Sequence, residues 1–136
     1  MGSLAEEMKL LLDTHAWLWF LAGDKRLSRK QRQAIEDPAS ILFLSPISLW
    51  ETCLLIEQGR IPATEPTRQW IEKARQALPV REAPLTFAIA ELSRRINVPH
   101  QDPADRFIAA TAIEMNVSLV TSDERLIRCE GLRCLR

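Results

Sequence analysis

Asp13, Glu51, Asp105 and Asp123 are widely separated in a chain of 136 residues, yet each lies where an α/β fold would carry it to one edge of the sheet. Their carboxylates are hard oxygen donors. Packed within ~4 Å they would repel by roughly 4 kcal/mol per pair at an effective dielectric near 20, so such a group persists only around a cation or with shared protons. Oxygen ligands of this kind suit Mg²⁺ or Mn²⁺, and a divalent ion so held can serve phosphodiester hydrolysis. The four acids therefore point to a metal-dependent nuclease, provided that the elements between them bring them together.

The run Leu10-Leu11-Leu12 lacks the alternation of a half-exposed strand and reads as a central parallel strand buried on both faces, with Asp13 at its carboxyl end. Residues 14–22 continue as an apolar helix closed near Gly23, and 28–36 as a second helix capped by Ser28. A second buried strand is expected at 41–44. Ser45-Pro46 opens the next helix, with proline in the first turn where its missing N–H costs nothing, and that helix runs to about residue 58. Trp70, Ile71, Ala74 and Leu78 recur at helical spacing over 67–78. A weak strand follows at 80–82, then helices over 87–96 and 104–115, a strand over 118–121, a short helix from Asp123 and an edge strand over 132–135. Strands alternating with long helices give a parallel sheet covered on both faces, a three-layer α/β/α sandwich joined by right-handed crossovers. One domain spans 1–136, with 1–8 as an N-terminal extension or an expression remnant.

In such a sheet the ligand crevice lies beyond the carboxyl ends of the strands. Asp13 and Asp123 stand just past two of those ends, and Glu51 lies little more than one turn into the helix leaving the second strand. The helix at 104–115 runs antiparallel to the strand it feeds, so its N-terminus and Asp105 share the same edge. Each acid also has a simpler role. Asp123 would cap the last helix, Asp102 the preceding one, and Asp105 would meet the positive end of its helix. Glu51 lies on an apolar face with Ile47, Leu54 and Leu55, where a carboxylate needs a partner or an ion. Asp13 ends a wholly apolar strand. Taken jointly, the coincidence favours a site, with Asp102 kept as a cap.

Eighteen basic and eighteen acidic residues cancel, so a polyanion would be held by local patches. Hydrophobic residues make up 46% and charged residues 26%, the balance of a globular protein. No segment approaches a membrane span, and the N-terminus does not read as a secretory signal. Cys53, Cys129 and Cys134 are odd in number and form no CxxC pair, which argues against a disulfide framework or a zinc site and places the chain in the cytoplasm. Lys25, Arg26, Arg29, Lys30 and Arg32 read first as a solvated helix face, with Arg29 and Lys30 as candidate RNA contacts. Arg106, beside Asp105, would pair an acid or meet a phosphate. Trp17, Trp19, Trp50 and Trp70 all fall on expected helices with apolar neighbours, so core or interface packing is preferred to base stacking. Trp17 and Trp19 cannot share a helix face, and one of them is expected to meet a partner subunit.

A phosphorelay receiver would also gather acids around Mg²⁺, but no aspartate stands between Asp37 and Asp102 to accept a phosphoryl group. A haloacid-dehalogenase-like phosphatase would want a second aspartate where His15 stands. Four glycines, Gly2, Gly23, Gly59 and Gly131, form neither a dinucleotide fingerprint nor a P-loop. A non-catalytic interaction module remains as the other alternative.

The segments LLLDTHAWLWFLAGD, SPISLWETCLLIEQGRI, HQDPADRFIAATAIE and LVTSDERL, in this order and spacing, resemble PIN-domain ribonucleases, specifically the VapC-like toxins of prokaryotic toxin–antitoxin pairs. The resemblance runs from about Lys9 to Arg128. It implies that Asp13, Glu51, Asp105 and Asp123 bind Mg²⁺ or Mn²⁺ and cleave RNA to a 5′-phosphate and a 3′-hydroxyl. It also implies that Thr14 and Thr121 support the site. Asp13, Asp105 and Asp123 would hold the ion while Glu51 ligates it or orients water. A homodimer and a small cognate VapB-like antitoxin are implied as partners. His15 is expected to pack or to hydrogen-bond, and His100 to lie in a loop.

Overall fold

A computed structural model describes residues 8–99 and 102–136. Five strands, β1 (Met8–Leu12), β2 (Ser40–Leu44), β3 (Arg81–Glu82), β4 (Ser118–Val120) and β5 (Cys134–Leu135), form one sheet of order β3-β2-β1-β4-β5. Every pairing is parallel. β1 runs between β2 and β4, and the chain leaves it first toward β2 and β3, then returns on its other side to β4 and β5. That reversal opens the crevice at the carboxyl ends of β1 and β4.

The helices are α1 (Thr14–Ala22), α2 (Arg29–Glu36), α3 (Pro46–Glu57), α4 (Thr67–Ala77), α5 (Phe87–Arg95), α6 (Pro103–Met115) and α7 (Glu124–Ile127). Alternate residues of β1 serve opposite faces: Leu10 and Leu12 join one apolar cluster with Trp17, Leu27, Ile35 and Leu78, while Leu11 joins another with Ile108, Ala109, Val117 and Leu126. This is the three-layer α/β/α sandwich expected of strands without polar alternation, and all three leucines are fully buried.

Local chemistry sets the boundaries. Gly23 closes α1 with φ 64°, and its N–H returns to the carbonyls of Phe20 and Trp19. Ser28 caps α2 in a reciprocal box with Gln31. Pro46 and Pro103 open α3 and α6, and Asn116 ends α6 in the left-handed region at φ 56°. β1 already begins at Met8, so the expected N-terminal extension loses that residue, while 1–7 lie outside the described residues. The expected strands at 80–82, 118–121 and 132–135 are shorter as formed, at 81–82, 118–120 and 134–135, although the N–H groups of Leu119 and Thr121 still reach the carbonyls of Arg133 and Leu135. The three cysteines are free thiols. Among the described residues no helix is long and apolar enough to cross a membrane.

Candidate active site

Asp13 leaves the end of β1 with its backbone N–H on the Val120 carbonyl at 3.1 Å. Its carboxylate caps α1, accepting the Ala16 N–H at 2.7 Å. Thr121, the residue after β4, ties this position to the next. Its hydroxyl donates to the Asp13 carboxylate and accepts the Asp123 N–H at 3.1 Å. Asp123 caps α7 through the Arg125 N–H at 2.9 Å, with Arg125 Nε 3.5 Å from the same oxygen. Capping and access to one shared cavity therefore coexist: the cap fixes the direction in which each carboxylate leaves its strand.

Glu51 approaches from α3. Thr14 Oγ1 donates to Glu51 Oε1 at 2.5 Å and is also hydrogen-bonded with Ser48 Oγ at 2.9 Å. The hydroxyl pair is buried and supplies the partner that a carboxylate on an apolar helix face requires. On α6, Asp102 is the cap, accepting the Ala104 N–H at 2.9 Å, and Asp105 follows in the first turn.

All four acids line one cavity of about 390 Å³, together with Asp102, Arg26 and Arg125. Their fields meet at Asp105, whose carboxyl is pushed up to about 7, first by burial and then by the charges of Asp102, Glu51, Asp123 and Asp13. Burial also raises Asp13, opposed by the hydrogen bonds from Thr121 and Ala16. Apart from His15 at its border, the metal-ligating groups lining this space are carboxylate and hydroxyl oxygens, which fits Mg²⁺ or Mn²⁺ rather than a soft metal. Among the described residues no three His, Cys, Asp or Glu side chains stand close enough to share one ion. Asp13, Glu51 and Asp123 are held to the cavity wall by the donors of Ala16, Thr14 and Arg125, so the acids surround a space and do not converge on a point.

Arg106 corrects the sequence reading. It is only 7% exposed, and its guanidinium donates to the carbonyls of Ser93 at 2.8 Å, Ile96 at 3.0 Å and Val98 at 3.4 Å, clamping the end of α5 to α6. Arg29 and Lys30 are exposed on α2 and do not line the carboxylate cavity, whereas Arg26 and Arg125 do. His15 is exposed and borders the cavity, 5.8 Å from the Trp19 ring. His100 falls outside the described residues. Trp17 is fully buried and meets Trp70 edge-on at 6.4 Å; its indole N–H finds no acceptor among the described residues. Trp50 is 56% exposed, so it does not pack in the core.

The sequence reading missed Gln31. This fully buried side chain donates to the carbonyls of Thr121 at 3.1 Å and Leu135 at 3.0 Å and accepts the Ser28 N–H at 2.9 Å. The Ser28-x-x-Gln31 capping box was the available signal, but it announces a helix start and not a second partner on the sheet.

A family model described as the PIN domain matches residues 10–132. The chain belongs to the PIN-domain family. Ribonuclease VapC22 of Mycobacterium tuberculosis is 39% identical over 120 residues, 86% of this chain and 88% of that protein. This PIN domain also shares its fold with the VapBC2 complex of Rickettsia felis bound to a promoter DNA fragment, with TM-score 0.67, 16% identity and coverage of 94% and 98% of the two chains. A toxin–antitoxin complex from Klebsiella pneumoniae gives 0.64, 21% identity and 93% and 96% coverage. The sarcin–ricin-loop-cleaving toxin VapC20 of M. tuberculosis gives 0.63, 18% identity and 91% and 98% coverage.

Proposed function

We propose that this PIN domain is a metal-dependent endoribonuclease, the toxin of a toxin–antitoxin pair, and that Asp13, Glu51, Asp105 and Asp123 are its catalytic residues. The observation that carries the reading is the single cavity lined by all four acids, in which Asp105 feels the charges of the other three. Similarity to a curated ribonuclease over most of both chains supports the choice of RNA.

Asp13, Asp105 and Asp123, with Glu51, would hold Mg²⁺ or Mn²⁺. The bound ion supplies charge neutralisation and Lewis acidity toward a phosphodiester. The chain's own residues do the rest. Thr121 aims Asp13 by donating to it, opposing the upward pull of burial on that carboxyl, and sets the Asp123 backbone from its other side. Thr14 holds Glu51 Oε1, leaving the second oxygen to orient an attacking water and take up its proton. Arg125 braces Asp123. In this reading Arg29 and Lys30 act at most as distant phosphate contacts. A homodimer and a small VapB-like antitoxin complete the proposal.

Purified protein with Asp13→Ala should lose cleavage of RNA in Mn²⁺, and EDTA should silence the unmutated protein reversibly. Thr121→Ala, which removes only the support, should lower the rate by about 10- to 100-fold. Undiminished cleavage by Asp13→Ala would refute the assignment.

A further inference from the structure

Arg26 is held in place by groups that the proposed chemistry does not use. Its Nε lies 3.2 Å from both carboxylate oxygens of Asp24, and its Nη2 donates to Oδ2 at 2.7 Å. The guanidinium carbon lies 4.9 Å from the centroid of the Trp19 ring. The loop beneath it is tied down as well. Asp24 N–H returns to the Trp19 carbonyl at 2.9 Å, Leu27 N–H to the Asp24 carbonyl at 3.2 Å, and Leu27 is buried in the core. Yet the Arg26 side chain remains 69% exposed. The guanidinium carbon lies over an indole, Nε and Nη2 are held by a carboxylate, and the side chain stays largely open to solvent.

Position gives this arrangement a meaning. Arg26, Trp19 and His15 border the carboxylate cavity and also a second recess of about 520 Å³. Leu18, Leu21, Leu55, Ile61, Pro62 and Trp70 form the apolar wall of that recess. Its size falls within the range of about 300–1,000 Å³ usual for small-molecule subsites. A phosphodiester placed at the acids brings a base on either side. A base out of its stack seeks aromatic faces, guanidinium planes and apolar walls, the surfaces assembled here.

Resting on the proposed ribonuclease reading, we infer that the Arg26 guanidinium, seated over Trp19 and clamped by Asp24, is a platform for an unpaired RNA base beside the scissile phosphate, with the apolar recess receiving that nucleotide. The same geometry argues against Arg26 as a phosphate grip. Two of its three nitrogens are engaged by Asp24, whose charge cancels its own, so a π face is offered more than a net positive charge. The substrate class implied is single-stranded RNA, or a loop with splayed bases. Under this proposal Trp19 would support a base indirectly, through Arg26, beside the packing role expected of the tryptophans.

Fluorescence anisotropy in Mg²⁺ tests this in an Asp105→Asn background, chosen so that RNA should bind without being cut. The probes are a labelled short oligo(A) RNA and a ribose-phosphate strand of equal length without bases. The base-bearing strand should bind about tenfold more tightly. Adding Arg26→Lys, which keeps the charge but loses the plane, or Arg26→Ala should erase that preference by weakening oligo(A) alone. Equal binding of the two strands, binding of neither, or equal weakening of both by the Arg26 changes overturns the platform. Cleavage by unmutated protein in Mn²⁺ is scored separately. RNA left intact there defeats the ribonuclease reading, whereas intact cleavage with no base preference defeats the platform only.

Discussion

Asp105 is the residue on which the other acids act most visibly. In the unfolded chain its carboxyl ionises near 3.8, and in the fold burial and neighbouring carboxylates push it up to about 7. Between those values the folded protein keeps a proton that the unfolded chain has lost. Stability of the metal-free protein therefore falls as pH rises from about 4 to about 7, and the penalty is complete above that. Asp105→Asn should raise the unfolding temperature in EDTA at pH 8 and leave it unchanged near pH 4. The gain is about 1–2 kcal/mol once partial exposure is discounted. A gain of equal size at both pH values would show that packing, and not charge, is responsible. At this scale the sequence was informative where an acid ended an apolar run, as at Asp13, or interrupted an apolar helix face, as at Glu51. It was misleading at Arg106. On α6 that residue shares its buried side with Ala109 and Ala110, three and four positions on, so the helical period already turned it inward. Charge adjacent to Asp105 drew attention to the wrong neighbour, because consecutive helix residues point about 100° apart.

The elements were largely legible. α1, α2 and α3 were marked by Gly23, Ser28 and Ser45-Pro46, and α6 by Asp102-Pro103, since capping and proline rules act through adjacent residues. Contacts between elements were not legible in the same way, and Gln31 and Arg106 are the two cases. Replacing Gln31 by Leu keeps the volume but leaves the carbonyls of Thr121 and Leu135 without their donor and opens the α2 cap. The expected cost is about 2–3 kcal/mol, read as a lower unfolding temperature. Gln31→Glu should be at least as damaging at neutral pH, because a carboxylate would then face two carbonyls; tolerance of both would deny Gln31 its tie. Arg106→Met should cost about 3 kcal/mol by stripping the donors from Ser93, Ile96 and Val98. Affinity of the still-folded protein for RNA should not change, and a selective loss of affinity would restore the phosphate reading.

Across the whole molecule, parallel strands and alternating helices predicted the sandwich and the shared edge. The reversal of direction about β1 explains why one crevice receives residues from the beginning, middle and end of the chain. The same architecture distributes four indoles through very different surroundings. Trp17 is sealed in apolar contacts and its N–H meets no acceptor among the described residues, Trp19 lies under a guanidinium at the cavity mouth, and Trp50 stands mostly in solvent. Their emission should be separable by wavelength and by access to a soluble quencher. A blue, shielded component reports the integrity of the sheet's covering layer, and a red, quenchable one reports the open flank of α3. The protein thus carries an optical gauge of its own interior and surface without any attached dye.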